Sequence, residues 1–352
     1  MLLRSVILFF GILKVNSYFD GGNNIKITYD NVYKLANMSY NAYMMIGDSN
    51  WCDVDLKNVK NISINEDSVK AYMFSNEDYS TNVISIKGTS LYWYSSMNDE
   101  DYKLKSTVNV DRVFGKGTGY NDKYNDNLFL SCCFYKESKF FSDIKCNDTL
   151  NVGGQGSLVP YDKLIDDVFE EKKECSKRCY KRSLDFELNY FNIGKQIVEL
   201  IKKEIQFDTT NIIFTGHSLG GVLATMLGIY YNKPVVTFET PGEKHYIEMT
   251  ELFSLNRQFD QIYHFGHDAD PIFTGNCGYT CSMIGYSIDT KCHIGKTCTY
   301  KAKEKMGLTE SILNHRIDYV INKIIGPKWD SDFPECITND DCEECAKYEK
   351  TT

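Results

Sequence analysis

The chain is 352 residues long and 42% hydrophobic, with 48 acidic against 39 basic side chains and a net charge of -9. That much apolar material fills a large core and excludes a disordered chain. The acidic balance, with no basic patch interleaved by aromatics, excludes nucleic acid as a partner and gives no long-range pull toward anionic membranes, so lipid contact has to be local and apolar.

Residues 1–18 read as a signal peptide or signal anchor. Arg4 precedes a nine-residue stretch from Ser5 to Leu13, which suits a leader core and falls short of the roughly 20 residues a membrane span needs. Lys14 interrupts it and favours cleavage near Ser17. Residues 19–330 read as one α/β domain and 331–352 as an acidic tail, either disordered or pinned by Cys336, Cys342 and Cys345. Within the domain, an amphipathic run near Tyr29–Ala42 and short strands make an N-terminal layer over 19–80. Val83-Ile-Ser-Ile-Lys-Gly-Thr-Ser90 is an apolar strand ending in Gly88-Thr89, where glycine permits a close approach. Residues 91–160 are polar and lack a strong period; their Tyr92-Trp93-Tyr94 reads as core or as an interfacial patch. The charges of Glu170–Arg182 read as a solvated face rather than a headgroup site, and Asp185–Gln206 as a helix with Phe191, Ile197, Leu200 and Ile201 at helical spacing.

Residues 211–230 carry the densest chemical signal. Ile212-Ile-Phe214 is a short buried strand, Gly216-His-Ser-Leu-Gly220 a sharp turn, and the apolar run after it a helix. A serine at the tip of so tight a strand-to-helix turn holds a strained backbone, and side chains two positions either side would collide. Gly216 and Gly220 remove that collision, and Gly221 lets the helix start close against the sheet. The helix N-terminus aims N–H groups at negative charge developing beside Ser218.

A nucleophilic serine needs a base, and the base an orienting acid. In this arrangement the acid follows the serine and the histidine follows the acid. Gln261–Ile272 reads as a strand entering a polar loop, with Asp268 and Asp270 as candidate acids. Asp270 is preferred because Pro271 fixes the chain beside it. His293 and His315 are the histidines that follow. His293 sits in a cysteine-bounded loop, whereas His315 precedes a final amphipathic helix, so His315 is the expected base. One oxyanion donor is expected at the backbone of Leu219, after the nucleophile, and the second from a loop after an earlier strand, for which the Gly88-Thr89 end of the Val83–Ser90 segment fits.

Thirteen cysteines, locally clustered, point to structural disulfides in an oxidising compartment and leave one thiol over, free or linking two chains. Zinc is the rival, since Cys342-Glu-Glu-Cys345 has ligand-like spacing, but no matching second pair completes a site. Sequons at Asn37, Asn61 and Asn147 agree with a secretory route. No metal or cofactor is expected.

The pairing of Ile86-Lys-Gly-Thr89 with Gly216-His-Ser-Leu-Gly-Gly221 resembles the class 3 (fungal-type) lipase family. Further blocks, Tyr124–Cys133, Pro234–Lys244, His267–Ile272 and Gly285–Lys296, are similar to the vacuolar autophagic-body lipases of fungi, over roughly residues 80–325. The resemblance implies an α/β-hydrolase fold of class 3 lipase type, a single domain with disulfide-rich loops. It implies Ser218 as nucleophile, Asp270 as acid and His315 as base, with oxyanion donors at Thr89 and Leu219 and an elbow of Gly216, His217 and Gly220. It places a lid and substrate-side loops in 91–160. The implied substrate is membrane phospholipid or glyceride at a membrane surface in a vacuole-like lumen. A soluble short-chain or feruloyl-type esterase, or a catalytically silent lipid-binding protein, are the alternatives.

Overall fold

The computed structural model describes residues 18–20, 24–64, 69–89, 118–138, 140–141, 173–208, 210–253, 259–326, 333–338 and 340–351. The leader, Tyr92-Trp93-Tyr94, Asn147 and much of the expected lid region lie outside the described residues.

Eight strands form one sheet: β1 (Asn58–Asn61), β2 (Ala71–Ser75), β3 (Thr81–Ile86), β5 (Asn211–His217), β6 (Val235–Phe238), β7 (Ile262–His267), β8 (Lys296–Tyr300) and β9 (Cys336–Thr338), adjacent in that order. The five strands from β3 to β8 run parallel, and β1, β2 and β9 pair antiparallel at the edges. Parallel strands are covered on both faces and therefore read as unbroken apolar runs. Their side chains still alternate. Ile84, Ile212, Phe214 and Val235 enter one core, while Val83, Ile213 and Val236 enter the other.

The second core is closed by α1 (Tyr29–Asn41) and by the C-terminal helix α10 (Ile317–Tyr319), which continues as a π-helical turn over Val320–Ile325. Thr28 caps α1, its hydroxyl accepting from the Asn31 N–H. The first core is covered by α2 (Thr118–Leu130), α5 (Tyr190–Ile201) and α6 (Leu219–Tyr231). This layering is the α/β-hydrolase architecture. Short helices α3 (Phe134–Glu137), α4 (Lys177–Ser183), α7 (Lys244–Thr250), α8 (Gly278–Met283) and α9 (Ala302–Met306) fill the connections.

Several expectations need correction. The helix foreseen over 185–206 is shorter, because Asn189 caps a fresh start at Tyr190 and its side chain accepts from the Phe191 N–H. The stretch 91–160 contains α2, which buries Asp122, Lys123, Asn125, Asp126 and Asn127 ahead of a single apolar run, Leu128-Phe129-Leu130, so no apolar period reveals it. The sequon at Asn37 lies on a buried face of α1, its amide donating to Tyr33 O at 3.0 Å, and has no room for a glycan; Asn61 is exposed.

The tail is pinned. β9 joins the main sheet, and β10 (Tyr348–Thr351) pairs in parallel with β4 (Lys173–Ser176). Disulfides Cys298–Cys336, Cys292–Cys342 and Cys132–Cys345 tie it to the domain, and Cys133–Cys175 and Cys277–Cys281 close other loops. Cys342 and Cys345 therefore hold sulfur partners, which removes them as zinc ligands. Cys52 carries a free thiol. No helix among the described residues is long and apolar enough to cross a membrane.

Candidate active site

Ser218 stands at the junction of β5 and α6 with φ 57° and ψ -130°, a strained backbone for a non-glycine residue. The surrounding glycines are there because nothing larger fits. A Cβ on Gly216 would lie 2.4 Å from Gly220 backbone atoms, one on Gly220 2.2 Å from Ile86 O, and one on Gly221 1.9 Å from Thr240 Oγ1.

Asp270 follows β7, and His315 ends a 3-10 turn (Ile312–His315) that leads into α10. The fold brings these two to Ser218. Ser218 Oγ donates to His315 Nε2 at 2.8 Å, and His315 Nδ1 donates to Asp270 Oδ2 at 2.6 Å. Asp270 Oδ1 accepts from the Ile272 N–H at 2.9 Å, which locks the carboxylate. Burial pushes the Asp270 carboxyl up, but the neighbouring His315, hydrogen bonds and His267 outweigh it and hold the group below its ordinary range. The other candidate acid, Asp268, faces away and accepts from the Lys303 N–H at 2.9 Å.

The glycine after β3 brings a second loop beside the serine. A Cβ on Gly88 would lie 2.3 Å from His217 O and 3.2 Å from Ser218 Cβ. The Gly88 N–H donates to Tyr43 Oη at 3.1 Å, and Tyr43 donates to His217 Nδ1 at 2.7 Å. His217 Nε2 then donates to His315 O at 2.7 Å. Burial, aided by His315, lowers His217 to about 3, so it stays a neutral strut between the Gly88 loop and the His315 backbone. Thr89 donates its hydroxyl to Asp126 on α2, while Lys87 reaches Gly88 O at 2.7 Å and Asp122 at 3.4 Å. Leu219 is the first residue of α6, whose N–H has no acceptor within the helix.

His293 and His264 gather around Glu243, with ligand atoms within 4.8 Å of one another. Among the described residues this is the cluster that could draw a metal, but apart from the buried His293 Nε2 its ring and carboxylate atoms are engaged in hydrogen bonds. His293 Nδ1 donates to Glu243 at 2.9 Å, the Ile294 N–H to Glu243 at 2.8 Å, and His264 Nε2 to Ile294 O at 2.8 Å, with Thr237 on its Nδ1 at 2.8 Å. The cluster braces β6, β7 and the 292–294 loop. A cavity of about 650 Å³ lined by Phe19, Ile212, Pro234 and Ile262 lies at the opposite ends of the strands and includes none of the Ser218 surroundings.

Residues 161–272 match the class 3 lipase family. The chain resembles that family. Curated relatives share the name "Putative lipase ATG15": one from Eremothecium gossypii is 32% identical over 91% of this chain, and one from Kluyveromyces lactis 31% over 91%. A Saccharomyces cerevisiae relative is 29% identical over 90%. The chain covers 54%, 55% and 55% of these three, so it spans about half their length. A Rhizopus microsporus lipase structure aligns at 11% identity over 84% of this chain and 88% of its own, with a TM-score of 0.37, too loose to argue from. The strand order carries the fold assignment. Asp126, Tyr43 and Glu239 carry no local sequence signal for these roles. Asp126 lies in Tyr124–Cys133 and Glu239 in Pro234–Lys244, blocks that carry the resemblance to the family.

Proposed function

We propose that this chain is a serine hydrolase that cleaves carboxylic esters of membrane lipids through Ser218, His315 and Asp270. The hydrogen-bonded line from Ser218 Oγ through His315 to Asp270 carries the reading. His315 Nε2 takes the proton as Ser218 Oγ bonds to the ester carbonyl carbon, and the carbonyl electron pair moves onto oxygen. The Thr89 and Leu219 N–H groups stabilise that oxyanion, each worth about 3 kcal/mol in the barrier. The tetrahedral centre collapses, and His315 returns the proton to the departing alcohol. Water repeats the attack on the acyl-serine and releases a fatty acid. Asp270 keeps the imidazole in the tautomer with its proton on Nδ1.

The acyl source is a phospholipid or glyceride, and the setting a vacuole-like oxidising lumen; the disulfides and the relatives' lipase names support both. The test is fatty-acid release from phospholipid liposomes at acidic and neutral pH. Ser218→Ala should lower the rate by about four to six orders of magnitude. Folded wild-type protein that cleaves only a soluble short ester would replace the lipase reading with an esterase, and silence on both would leave a lipid-binding protein.

A further inference from the structure

Glu239 follows β6 directly behind Asp270. It is fully buried and adopts φ 45°, a left-handed conformation that a glutamate occupies only under constraint. Its carboxyl Oε2 accepts from the His267 N–H at 3.3 Å. The nearest candidate counter-ion is His267, whose Nε2 lies 3.7 Å from Oε1 but donates to Asn314 O at 3.1 Å, while its Nδ1 accepts from the Ala269 N–H at 3.2 Å. With both ring nitrogens so engaged, His267 is a neutral strut, and burial lowers it further from the charged form.

Glu239 Oε1 is sealed from solvent and meets no protein donor. Yet the Glu239 and Asp270 carboxyl groups are within hydrogen-bonding reach of each other. Two carboxylates are both acceptors, so this contact is a bond only when one of them carries a proton. Asp270 already accepts from His315 and Ile272, whereas Glu239 has one long N–H bond. The proton therefore belongs on Glu239.

We propose that Glu239 is a positioning residue, held as the neutral acid, that donates a hydrogen bond to Asp270 and so keeps His315 usable as a base in acidic surroundings. This rests on the triad reading given above. Burial and then the Asp270 charge push the Glu239 carboxyl well above its ordinary range, in agreement with the donor role. A lone buried Asp270 would concentrate its charge on the imidazolium and hold a proton there more firmly. Sharing that charge with Glu239 weakens the hold. The other titratable groups around the pair do not substitute for it. His217, from the end of β5, is lowered to about 3, Tyr300, from β8, is pushed up by burial, and Asp268 faces Lys303.

The test compares wild type, Glu239→Gln and Glu239→Met by kcat/KM against pH on a soluble short ester, with Ser218→Ala as the control on the triad. Gln can accept from the His267 N–H and donate an amide N–H to Asp270, so its acid limb should overlay the wild type. Met fills the space without a donor, and its acid limb should move up by about one pH unit, the scale of a lost hydrogen bond to a charged group. Coincident limbs for Met and wild type, or equal shifts for Met and Gln, would overturn the proposal. A second readout needs neither activity nor the Met variant. The infrared difference between wild type and Glu239→Gln at neutral pH should show the carbonyl stretch of a protonated carboxylic acid, and its absence would refute the neutral Glu239. Activity surviving in Ser218→Ala would reject the triad instead and leave the infrared result to decide where the proton sits.

Discussion

Asp126 illustrates a cost that a site can place on stability. Its carboxyl is fully buried on α2, and burial pushes it up to about 8, against the smaller pull of the Thr89 hydroxyl and of Lys87 and Lys123. The folded carboxyl stays neutral where the unfolded chain has already ionised. Its stabilising contribution is complete below the ordinary value of 3.8 and is lost as pH rises toward about 8. Asp289, raised to about 7, acts in the same direction. Asp126→Asn keeps an acceptor for Thr89 and cannot ionise. Its unfolding temperature should therefore fall less steeply than the wild type's between those limits, with ester cleavage retained; parallel curves from a pH series of thermal unfolding would refute this. Asp126 and Glu239 were illegible in the sequence for one reason: an acidic residue reads as solvent-facing unless its neighbours in space are known. Ser218, Asp270 and His315 could be read because the glycines, Pro271 and their order along the chain each impose a local constraint, and the fold brings those three together.

At the scale of elements, the strands and helices with apolar periods were legible, and the long-range pairings were not. The apolar run ahead of Gly216 gives β5, the run after Gly220 gives α6, and the amphipathic stretch near Tyr29–Ala42 gives α1. The cysteines cluster locally along the sequence, which leaves their pairing open; adjacent Cys132 and Cys133 go to Cys345 and Cys175, because the tail returns across the domain to lay β10 beside β4. Loop length orders their contributions. Cys132–Cys345 closes a separation of 213 residues, Cys298–Cys336 one of 38 and Cys277–Cys281 one of 4. Chain entropy then puts the losses at about 5, 4 and 2 kcal/mol when each pair is replaced by serines. Urea unfolding of the three double variants should rank them in that order. A Cys277–Cys281 variant as damaged as the Cys132–Cys345 one would mean that native packing, and not loop closure, sets the cost.

The whole molecule presents the Ser218 surroundings at the C-terminal ends of the parallel strands, the end where open α/β sheets gather their reactive groups, while carrying a net charge of -9. If its substrate is a lipid surface, that charge acts before any contact forms. The basic stretch that could have reversed the effect locally is partly neutralised, since Lys177 and Lys181 both reach Glu251, at 3.7 and 2.6 Å. Vesicles rich in anionic lipid should therefore repel the protein at low ionic strength. Raising salt from about 0.01 to 0.15 M shortens the screening length from about 30 to 8 Å and should raise the initial rate on anionic vesicles severalfold, while leaving zwitterionic vesicles nearly unaffected. The salt effect should shrink in acid, where exposed carboxylates gain protons and the net charge moves toward zero. A rate on anionic vesicles that falls with salt would show that a basic surface docks first, and would return the lysine and arginine stretch of α4 to consideration as a headgroup site.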